Sequence, residues 1–278
     1  MTINCKGDLI DLSTPKVMGV LNLTPDSFYD GGKYKSESDI LKKVEKMLFE
    51  GTTFIDIGAY SSRPGATNIS EEEELKRITP IIEFVLNKFP QVLISIDTFR
   101  SKVAARCIEM GASIINDISA GKLDEQMLDT VAKYQVPYIM MHMKGNPQNM
   151  KEMTNYDDLL KDILFYFSER VQAARSKKIN DIILDPGFGF AKNIQQNYRL
   201  LANLNLLKTF DLPILAGLSR KSMIYKPLKN TAQEALNGTT ALNMLALNSG
   251  ASILRVHDVK EALECITLFN ELEAANKS

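Results

Sequence analysis

The chain has 278 residues, with 33 lysines and arginines against 34 aspartates and glutamates, so its formal net charge at pH 7 is -1. This balance excludes the basic surface typical of proteins that bind nucleic acid or acidic membranes. The cysteines Cys5, Cys107 and Cys265 lack CxxC spacing, which argues against a disulfide framework or a zinc site. Without a signal-peptide core or an apolar run of about 18 residues, the sequence predicts a cytoplasmic protein.

Eight segments share one design, an apolar run that ends in polar residues. In chain order they are 17–24, 53–59, 93–98, 114–119, 137–144, 182–190, 213–219 and 253–258. Near-continuous apolar strands are typical of a parallel sheet covered by helices on both faces. We therefore predict a (β/α)8 TIM barrel that forms a single domain over 1–278, with its active site at the C-terminal ends of the strands.

The segments between the predicted strands have the periodicity of amphipathic helices. The first, 36–50, places its apolar residues on one face and ends at Gly51. Ser70 and Glu73 predict a capping box, so the acidic run 71–74 is interpreted as a helix N-terminus rather than a metal site. Further helices are predicted at 101–110, 124–134, 156–178, 196–210, 233–249 and 259–275. Cys107 and Cys265 fall within these helices and are interpreted as packing residues.

Two connections are longer and more polar than ordinary turns. They follow the first and second strands, at 22–34 and 59–68, and both contain glycine and aromatic residues. We predict that they are mobile lids, called loops 1 and 2 here, although ordinary surface loops would also fit this composition. After the seventh strand, Ser219 is a candidate N-cap of a short helix whose N–H groups could bind an anion.

Six motifs follow one another along the chain. They are Asn22-Leu-Thr-Pro-Asp-Ser-Phe, Ser62-Arg-Pro-Gly, Ser95-Ile-Asp-Thr, Asn116-Asp-Ile, Asp185-Pro-Gly-Phe-Gly-Phe and Ser219-Arg-Lys-Ser. Together they resemble the dihydropteroate synthase family of pterin-binding barrels. The resemblance implies a homodimeric transferase of folate biosynthesis that uses Mg²⁺ and is inhibited by sulfonamides. Its substrates would be 6-hydroxymethyl-7,8-dihydropterin diphosphate and 4-aminobenzoate.

A pterin ring presents adjacent N–H donors and a carbonyl acceptor, which a dry pocket must match with carboxylate and amide groups. Asp97, Asn116 and Asp185 end predicted strands three, four and six and can supply those groups. Taken singly, each of these side chains could instead form its hydrogen bonds with nearby backbone groups. The resemblance adds Lys221 and Phe190 to the pterin site, and makes Asp97, Asp185, Lys221 and Arg63 the residues that act in catalysis.

A diphosphate requires cationic groups. Arg255 and His257 are two residues apart on the last strand, so their side chains should point the same way. His257 could instead be a structural histidine. The resemblance places Ser62 and Arg63 on the diphosphate as well, and makes Asn22 the protein ligand of Mg²⁺, which takes most other ligands from phosphates and water.

The resemblance also implies a subsite for 4-aminobenzoate, lined by Phe28, Ser62, Pro64 and Phe190, with Ser222 at its carboxylate. The reaction would be a dissociative displacement, in which the protein acts by positioning and electrostatics.

Loop 2 departs from the common family pattern. Ala59 and Tyr60 replace a Gly-Glu pair and Ser62 replaces threonine, which argues against copying the family contacts of this loop unchanged. His142 is interpreted as a structural or supporting residue. Two rival classes remain at this stage, a folate-dependent methyltransferase of corrinoids and a non-catalytic binding barrel. Asn22, Ser61-Ser-Arg-Pro and Ser219-Arg-Lys-Ser favour the synthase over the methyltransferase. A non-catalytic barrel would be expected to have lost Lys221, Arg255 or Asn22, and all three are present.

Overall fold

Eight parallel strands form the central sheet of the computed structural model, which describes residues 1–23, 29–30, 33–34, 37–60 and 68–276. The strands are β3 (Lys16–Asn22), β6 (Phe54–Gly58), β7 (Leu93–Asp97), β8 (Ile114–Asp117), β9 (Tyr138–Met141), β10 (Ile182–Asp185), β11 (Leu215–Ala216) and β12 (Ile253–Val256). Their order in the sheet is β10-β9-β8-β7-β6-β3-β12-β11. A parallel bridge between Leu184 and Ile214 joins the two ends of the sheet. The predicted (β/α)8 barrel is confirmed.

The helices lie between the strands, as the periodicity predicts. They are α1 (Glu37–Phe49), α2 (Glu71–Lys88), α3 (Ser101–Glu109), α4 (Met127–Tyr134), α5 (Leu159–Ser176), α6 (Ile194–Ala202), α7 (Ser222–Tyr225), α8 (Leu236–Asn248) and α9 (Val259–Ala275). Their apolar faces and the outer faces of the strands form one large core, which includes Cys107 and Cys265. No helix in the described ranges is long and apolar enough to cross a membrane.

Residues two apart on a strand point to the same side of the sheet. The inward-facing side chains of the eight strands therefore fill the barrel in successive layers. The lowest layer is apolar and consists of Met18, Phe54, Ile114, Ile139, Ile183, Leu215 and Ile253. Two residues further along β6, β8 and β12 stand Asp56, Asn116 and Arg255. The barrel interior therefore changes from apolar to polar toward the C-terminal ends of its strands.

A hairpin that the sequence patterns did not predict closes the apolar end of the barrel. Its strands β1 (Thr2–Cys5) and β2 (Asp8–Asp11) pair antiparallel. Ile3, Cys5 and Leu12 are buried against the lowest layer. Ile10 is half-buried, and the strand is too short for its alternation to show in the sequence. Strands β4 (Tyr29–Asp30) and β5 (Lys33–Tyr34) form a second small hairpin within predicted loop 1.

Three local predictions were wrong in detail. At α2, Ser70 accepts a hydrogen bond from the Glu73 N–H, but the Glu73 side chain pairs with Arg77 at 2.7 Å instead of completing a capping box. The predicted helix 196–210 is divided into α6 and a 3₁₀ helix, Leu204–Phe210. Ser219 does not cap α7, since Lys221 holds the N-cap position.

Candidate active site

The predicted pterin residues lie together on the inner side of the barrel mouth, where Asp56 accepts hydrogen bonds from Asn116 and from two neighbouring side chains. Asp56 is fully buried and accepts hydrogen bonds from Ser95 Oγ at 2.6 Å and Asn116 Nδ2 at 3.1 Å. The Arg255 Nε donates to it at 2.6 Å. The sequence patterns assigned no role to Asp56, although its inward position between Phe54 and Gly58 was a usable signal.

Arg255 joins two carboxylates across the barrel. Its Nε contacts Asp56, and its Nη2 donates to Asp97 Oδ2 at 2.9 Å. Burial alone would lower the Arg255 pKa, but these acids raise it above its usual value. Burial raises the pKa of Asp97 to about 7, while Arg255 acts in the opposite direction. The guanidinium is thus oriented by protein carboxylates before any anion binds, which the sequence did not predict.

Asp185 ends β10 and faces the same space. Its Oδ1 accepts a hydrogen bond from the Gly187 N–H at 2.8 Å. Burial raises its pKa above the usual value, while Lys221 opposes that shift. Gly187 has a φ of +70°, and a Cβ there would lie 2.1 Å from the His142 carbonyl oxygen. Only glycine therefore fits at the turn that directs Asp185 inward.

Lys221 lies between Asp185 and the loop after β10. Its Nζ donates to the Phe188 carbonyl oxygen and stands 5.1 Å from the centre of the Phe190 ring. Burial lowers its pKa to about 8, with Asp185 opposing the shift. A Cβ at Gly217 would lie 3.7 Å from this Nζ and 4.0 Å from Arg255 Cβ. Lys221, Phe190 and Arg255 therefore border one space.

His257 stands at the edge of this space. Its Nδ1 lies 3.1 Å from Ser219 Oγ, and its backbone N–H donates to the same oxygen at 3.2 Å. The ring reaches the surface, yet the surrounding protein and then Arg255 lower its pKa below the usual value. Arg220 forms two hydrogen bonds with Asp258, at 2.9 and 2.5 Å, which fix the adjoining loop. Ser219 therefore orients a histidine rather than a helix.

Arg100 contacts the first residues of loop 2 and the residue that follows the loop. Its Nη1 lies 2.5 Å from Glu74 Oε2, its Nη2 donates to the Ile69 carbonyl oxygen at 2.6 Å, and its guanidinium lies 5.2 Å from the Tyr60 ring centre. Tyr60, which departs from the family pattern, also accepts a hydrogen bond from Gln148 Nε2 at 2.8 Å. The aromatic ring thus contacts a guanidinium that a buried glutamate already neutralises.

Four predicted site residues, Phe28, Ser62, Arg63 and Pro64, lie outside the described residues, as does most of what was predicted for loops 1 and 2. Asn22 ends β3 and is half-buried, with its backbone beside Gly58. Ser222 begins α7 and is half-buried. The roles predicted for these two residues stay predictions.

A magnesium site built on Asn22 fits this barrel mouth. Within the described ranges, no three acids, cysteines or histidines are grouped so that they could hold a metal ion. Asn22 supplies a neutral oxygen, and Mg²⁺ commonly takes its remaining ligands from substrate phosphates and water. One amide oxygen is therefore consistent with a metal that arrives with the diphosphate.

His142, interpreted from the sequence as a structural or supporting residue, contacts a buried lysine. Its Nδ1 lies 3.0 Å from the Nζ of Lys192, a buried lysine that sequence analysis did not identify. Its ring packs edge-on against Tyr166, with centroids 4.8 Å apart. A separate cavity of about 310 Å³ lies on the outer side of His142, against α5. Because the convergent polar groups are elsewhere, we place the active site at the barrel mouth.

Comparison with known proteins gives a consistent result. Residues 18–257 match the family model described as pterin binding enzyme. The chain is 42% identical over 281 residues to the dihydropteroate synthase of Escherichia coli K12, covering 100% of this chain and 99% of that protein.

Solved structures agree. A Yersinia pestis dihydropteroate synthase in complex with a sulfonamide drug superposes with a TM-score of 0.93 at 42% identity, covering 99% of this chain and 100% of that chain. A Xanthomonas albilineans dihydropteroate synthase with 4-aminobenzoic acid gives a TM-score of 0.91 at 36% identity, covering 98% of both chains.

Proposed function

This chain belongs to the dihydropteroate synthases of the pterin-binding enzyme family, and from that membership we propose how its side chains divide the work of the reaction. The enzyme is a transferase of folate biosynthesis that condenses 6-hydroxymethyl-7,8-dihydropterin diphosphate with 4-aminobenzoate, releasing 7,8-dihydropteroate and diphosphate. The assignment of residues rests on one observation above all, the convergence of Asp97, Asp185, Lys221 and Arg255 at the strand ends.

The buried strand-end groups recognise the pterin. Asp185 and Asp97 accept hydrogen bonds from its N–H groups, and Asn116 presents its amide beside them. Because the Asn116 Nδ2 already donates to Asp56, its orientation is fixed and its Oδ1 remains an acceptor. Lys221 donates to the ring from its position near Phe190. As the C–O bond to the diphosphate breaks, Asp97 and Asp185 stabilise the positive charge on the pterin.

The leaving diphosphate receives the electron pair of that bond and is held by cationic groups. Arg255 uses two N–H groups on Asp56 and Asp97, which leaves further donors for an oxygen anion. His257, Ser62 and Arg63 complete this set. Mg²⁺, held by Asn22, would supply further charge neutralisation on the diphosphate when bound.

The arylamine then forms the new C–N bond and loses a proton to solvent, so no nucleophilic side chain is needed. Phe28, Ser62 and Pro64 line its subsite together with Phe190, and Ser222 binds its carboxylate. Phe190 is half-buried beside Lys221, and Ser222 is half-buried at the start of α7, next to Lys221 in the chain, which supports this arrangement. Sulfonamides mimic the arylamine and are expected to occupy the same subsite.

We further propose a cytoplasmic homodimer. The exposed leucines Leu245, Leu268 and Leu272 lie on α8 and α9, which pack together, and they support a dimer surface there. Sedimentation should then show a dimer that Leu268→Glu converts to monomer without loss of fold.

The activity is tested by mixing the protein with the pterin diphosphate, 4-aminobenzoate and Mg²⁺ and measuring diphosphate release. We expect release that depends on the arylamine and yields one 7,8-dihydropteroate per diphosphate. Release that is the same without the arylamine would instead indicate a hydrolase. Transfer of a methyl group from a folate would favour the methyltransferase.

A further inference from the structure

Lys192 is a buried lysine for which the condensation has no direct use. It stands at the end of the loop that connects β10 to α6, two residues after Phe190. Its Nζ lies 3.0 Å from the Gly187 carbonyl oxygen, 3.0 Å from the Phe190 carbonyl oxygen and 3.0 Å from His142 Nδ1. All three partners are therefore at hydrogen-bond distance.

These contacts leave no donor for a ligand. A lysine ammonium has three N–H groups, and each has an acceptor here. None of the ion pairs found among the described residues includes Lys192, so no carboxylate neutralises it directly. Burial lowers its pKa to about 7, Asp185 opposes that shift, and the surrounding acceptors also favour the protonated form. Burying a charge costs desolvation free energy, and a well-packed apolar residue of similar volume is often as stable. The ammonium of Lys192 therefore calls for a role that an apolar residue could not fill.

The loop that Lys192 contacts has an unusual backbone. Gly187, Gly189 and Ala191 have φ values of +70°, +81° and +50°. One turn hydrogen bond lies within this segment, from the Phe190 N–H to the Gly187 carbonyl oxygen at 3.1 Å, and the carbonyl groups of the segment take further donors from side chains. Lys192 binds two of those carbonyls, and Lys221 binds that of Phe188. Lys192 thus holds both ends of the segment 187–190, and Lys221 holds a residue between them.

The two lysines differ in what they do during the reaction. Lys221 is assigned to the pterin, so its contact with Phe188 is shared or lost when the substrate binds. The three N–H groups of Lys192 already have acceptors, so Lys192 keeps its contacts when the substrate binds. Gly187 is held by Lys192 through its carbonyl, and its N–H binds Asp185 Oδ1 at 2.8 Å. The carboxylate and the Phe190 ring are therefore attached to one supported segment.

We propose that Lys192, supported by His142, is a positioning residue that fixes Asp185 and Phe190 for pterin binding. The inference rests on the proposed function of those two residues. His142 takes part as a neutral ring, because Nδ1 accepts a hydrogen bond only when it carries no proton. Burial, and then Lys192 itself, lower the His142 pKa well below its usual value, which keeps Nδ1 available.

The test is Lys192→Met, which keeps the apolar stem and removes the ammonium. We expect the affinity for 6-hydroxymethyl-7,8-dihydropterin to fall about tenfold or more, because misplacing a charged hydrogen-bond acceptor costs a decade or two. The affinity for pyrophosphate with Mg²⁺ should stay within about twofold, since that ligand uses other residues. Calorimetry measures both. Lys144→Met is the matched control, because Lys144 also binds a carbonyl, that of Asn155, at 2.6 Å, and should change neither affinity.

Unchanged pterin affinity in Lys192→Met would overturn the proposal, and so would equal losses for the two ligands, since they would indicate general disruption. If that variant does not fold, His142→Phe and His142→Asn serve instead. His142→Phe removes one acceptor and should weaken only pterin binding, while His142→Asn, whose Oδ1 can replace Nδ1, should restore it. Equal pterin affinities for His142→Phe and the unaltered protein would overturn it as well. Failure of the unaltered protein to bind the pterin would refute the proposed function instead.

Discussion

Asp185 offers the most direct test of pterin recognition by a single residue. In Asp185→Asn the Oδ1 can still accept the Gly187 N–H, so the loop should remain folded. The new Nδ2 would face the donors of the pterin ring, and lost hydrogen bonds to a charged group cost about 1.5–3 kcal/mol each. We expect pterin affinity to fall by about one to two decades in calorimetric titration.

The matched control is Asp181→Asn, one residue before β10, where the carboxylate accepts a hydrogen bond from the Asn4 N–H at 3.3 Å. It should bind pterin normally. Similar affinities for Asp185→Asn and this control would remove Asp185 from the pterin site.

The ionisation of two residues predicts a bell-shaped pH profile of kcat/KM. As pH falls below about 7, Asp97 takes up a proton and offers the pterin an O–H donor in place of an acceptor, so the rate should drop. As pH rises above about 8, Lys221 loses its proton and its charge, so the rate should drop again. Asp97 and Lys221 interact electrostatically with each other and with Arg255 and Asp185. Each apparent pKa of the profile is therefore a property of these coupled groups together and not of one residue.

Initial rates from acid to alkaline pH check this profile. Lys221→Arg should move the alkaline limb out of the measured range, since arginine remains protonated. An unmoved alkaline limb in that variant would assign it to another group.

At the scale of elements, Arg100 connects the end of β7 to α2, to the start of loop 2 and to the residue that follows this loop. Among the residues that the structure describes, Arg100→Ala would leave the fully buried Glu74 with the Thr98 hydroxyl as its remaining hydrogen-bond partner. Removal of one partner of a buried ion pair typically costs about 3–5 kcal/mol. We expect a loss of that size in urea unfolding, if unfolding is two-state.

The same helix supplies the comparison. Arg77→Ala breaks the pair with Glu73, whose side chains are 25% and 40% exposed, and should cost about 1 kcal/mol or less. If Arg100→Ala and Arg77→Ala lowered the free energy of unfolding equally, Glu74 would have found another partner or taken up a proton at no cost in stability.

Strands and helices could be predicted from the sequence because their signals are local. The apolar run before Asp185 and the periodicity of α1 both gave the correct element, with ends displaced by one or a few residues. Contacts between distant segments were not predictable in this way. Nothing local to Arg255 shows that it binds Asp56 and Asp97, which lie 199 and 158 residues away in the chain.

The same distinction applies to the candidate site. Asp97, Asn116, Asp185 and Lys221 were identified from motifs, and the fold brings them to one barrel mouth. Lys192 was not identified, because its role depends on carbonyl groups, which every residue possesses. Ser219 was predicted to cap a helix because of its residue type. In the structure its hydroxyl instead contacts His257, which is 38 residues away in the chain.

For the molecule as a whole, we predict positive coupling between its two substrates. The pterin groups lie on strand ends, whereas Ser62 and Pro64 of the arylamine subsite come from loop 2. If the first ligand completes the subsite, 4-aminobenzoate should bind more tightly when pterin and pyrophosphate are present. Calorimetric titration with and without them measures the difference, and a sulfonamide should compete in both cases. Equal arylamine affinity under the two conditions would contradict a subsite completed by the first ligand.

The small hairpin that closes the barrel has a consequence for biosynthesis. Ile3 and Cys5 are translated before every strand they cover, including β12 with Ile253. During translation these apolar side chains have no complete binding surface, so the floor of the barrel closes only after the last strand has left the ribosome. Because contacts so distant along the chain form slowly, we expect the nascent chain to expose this segment to chaperones and proteases until then.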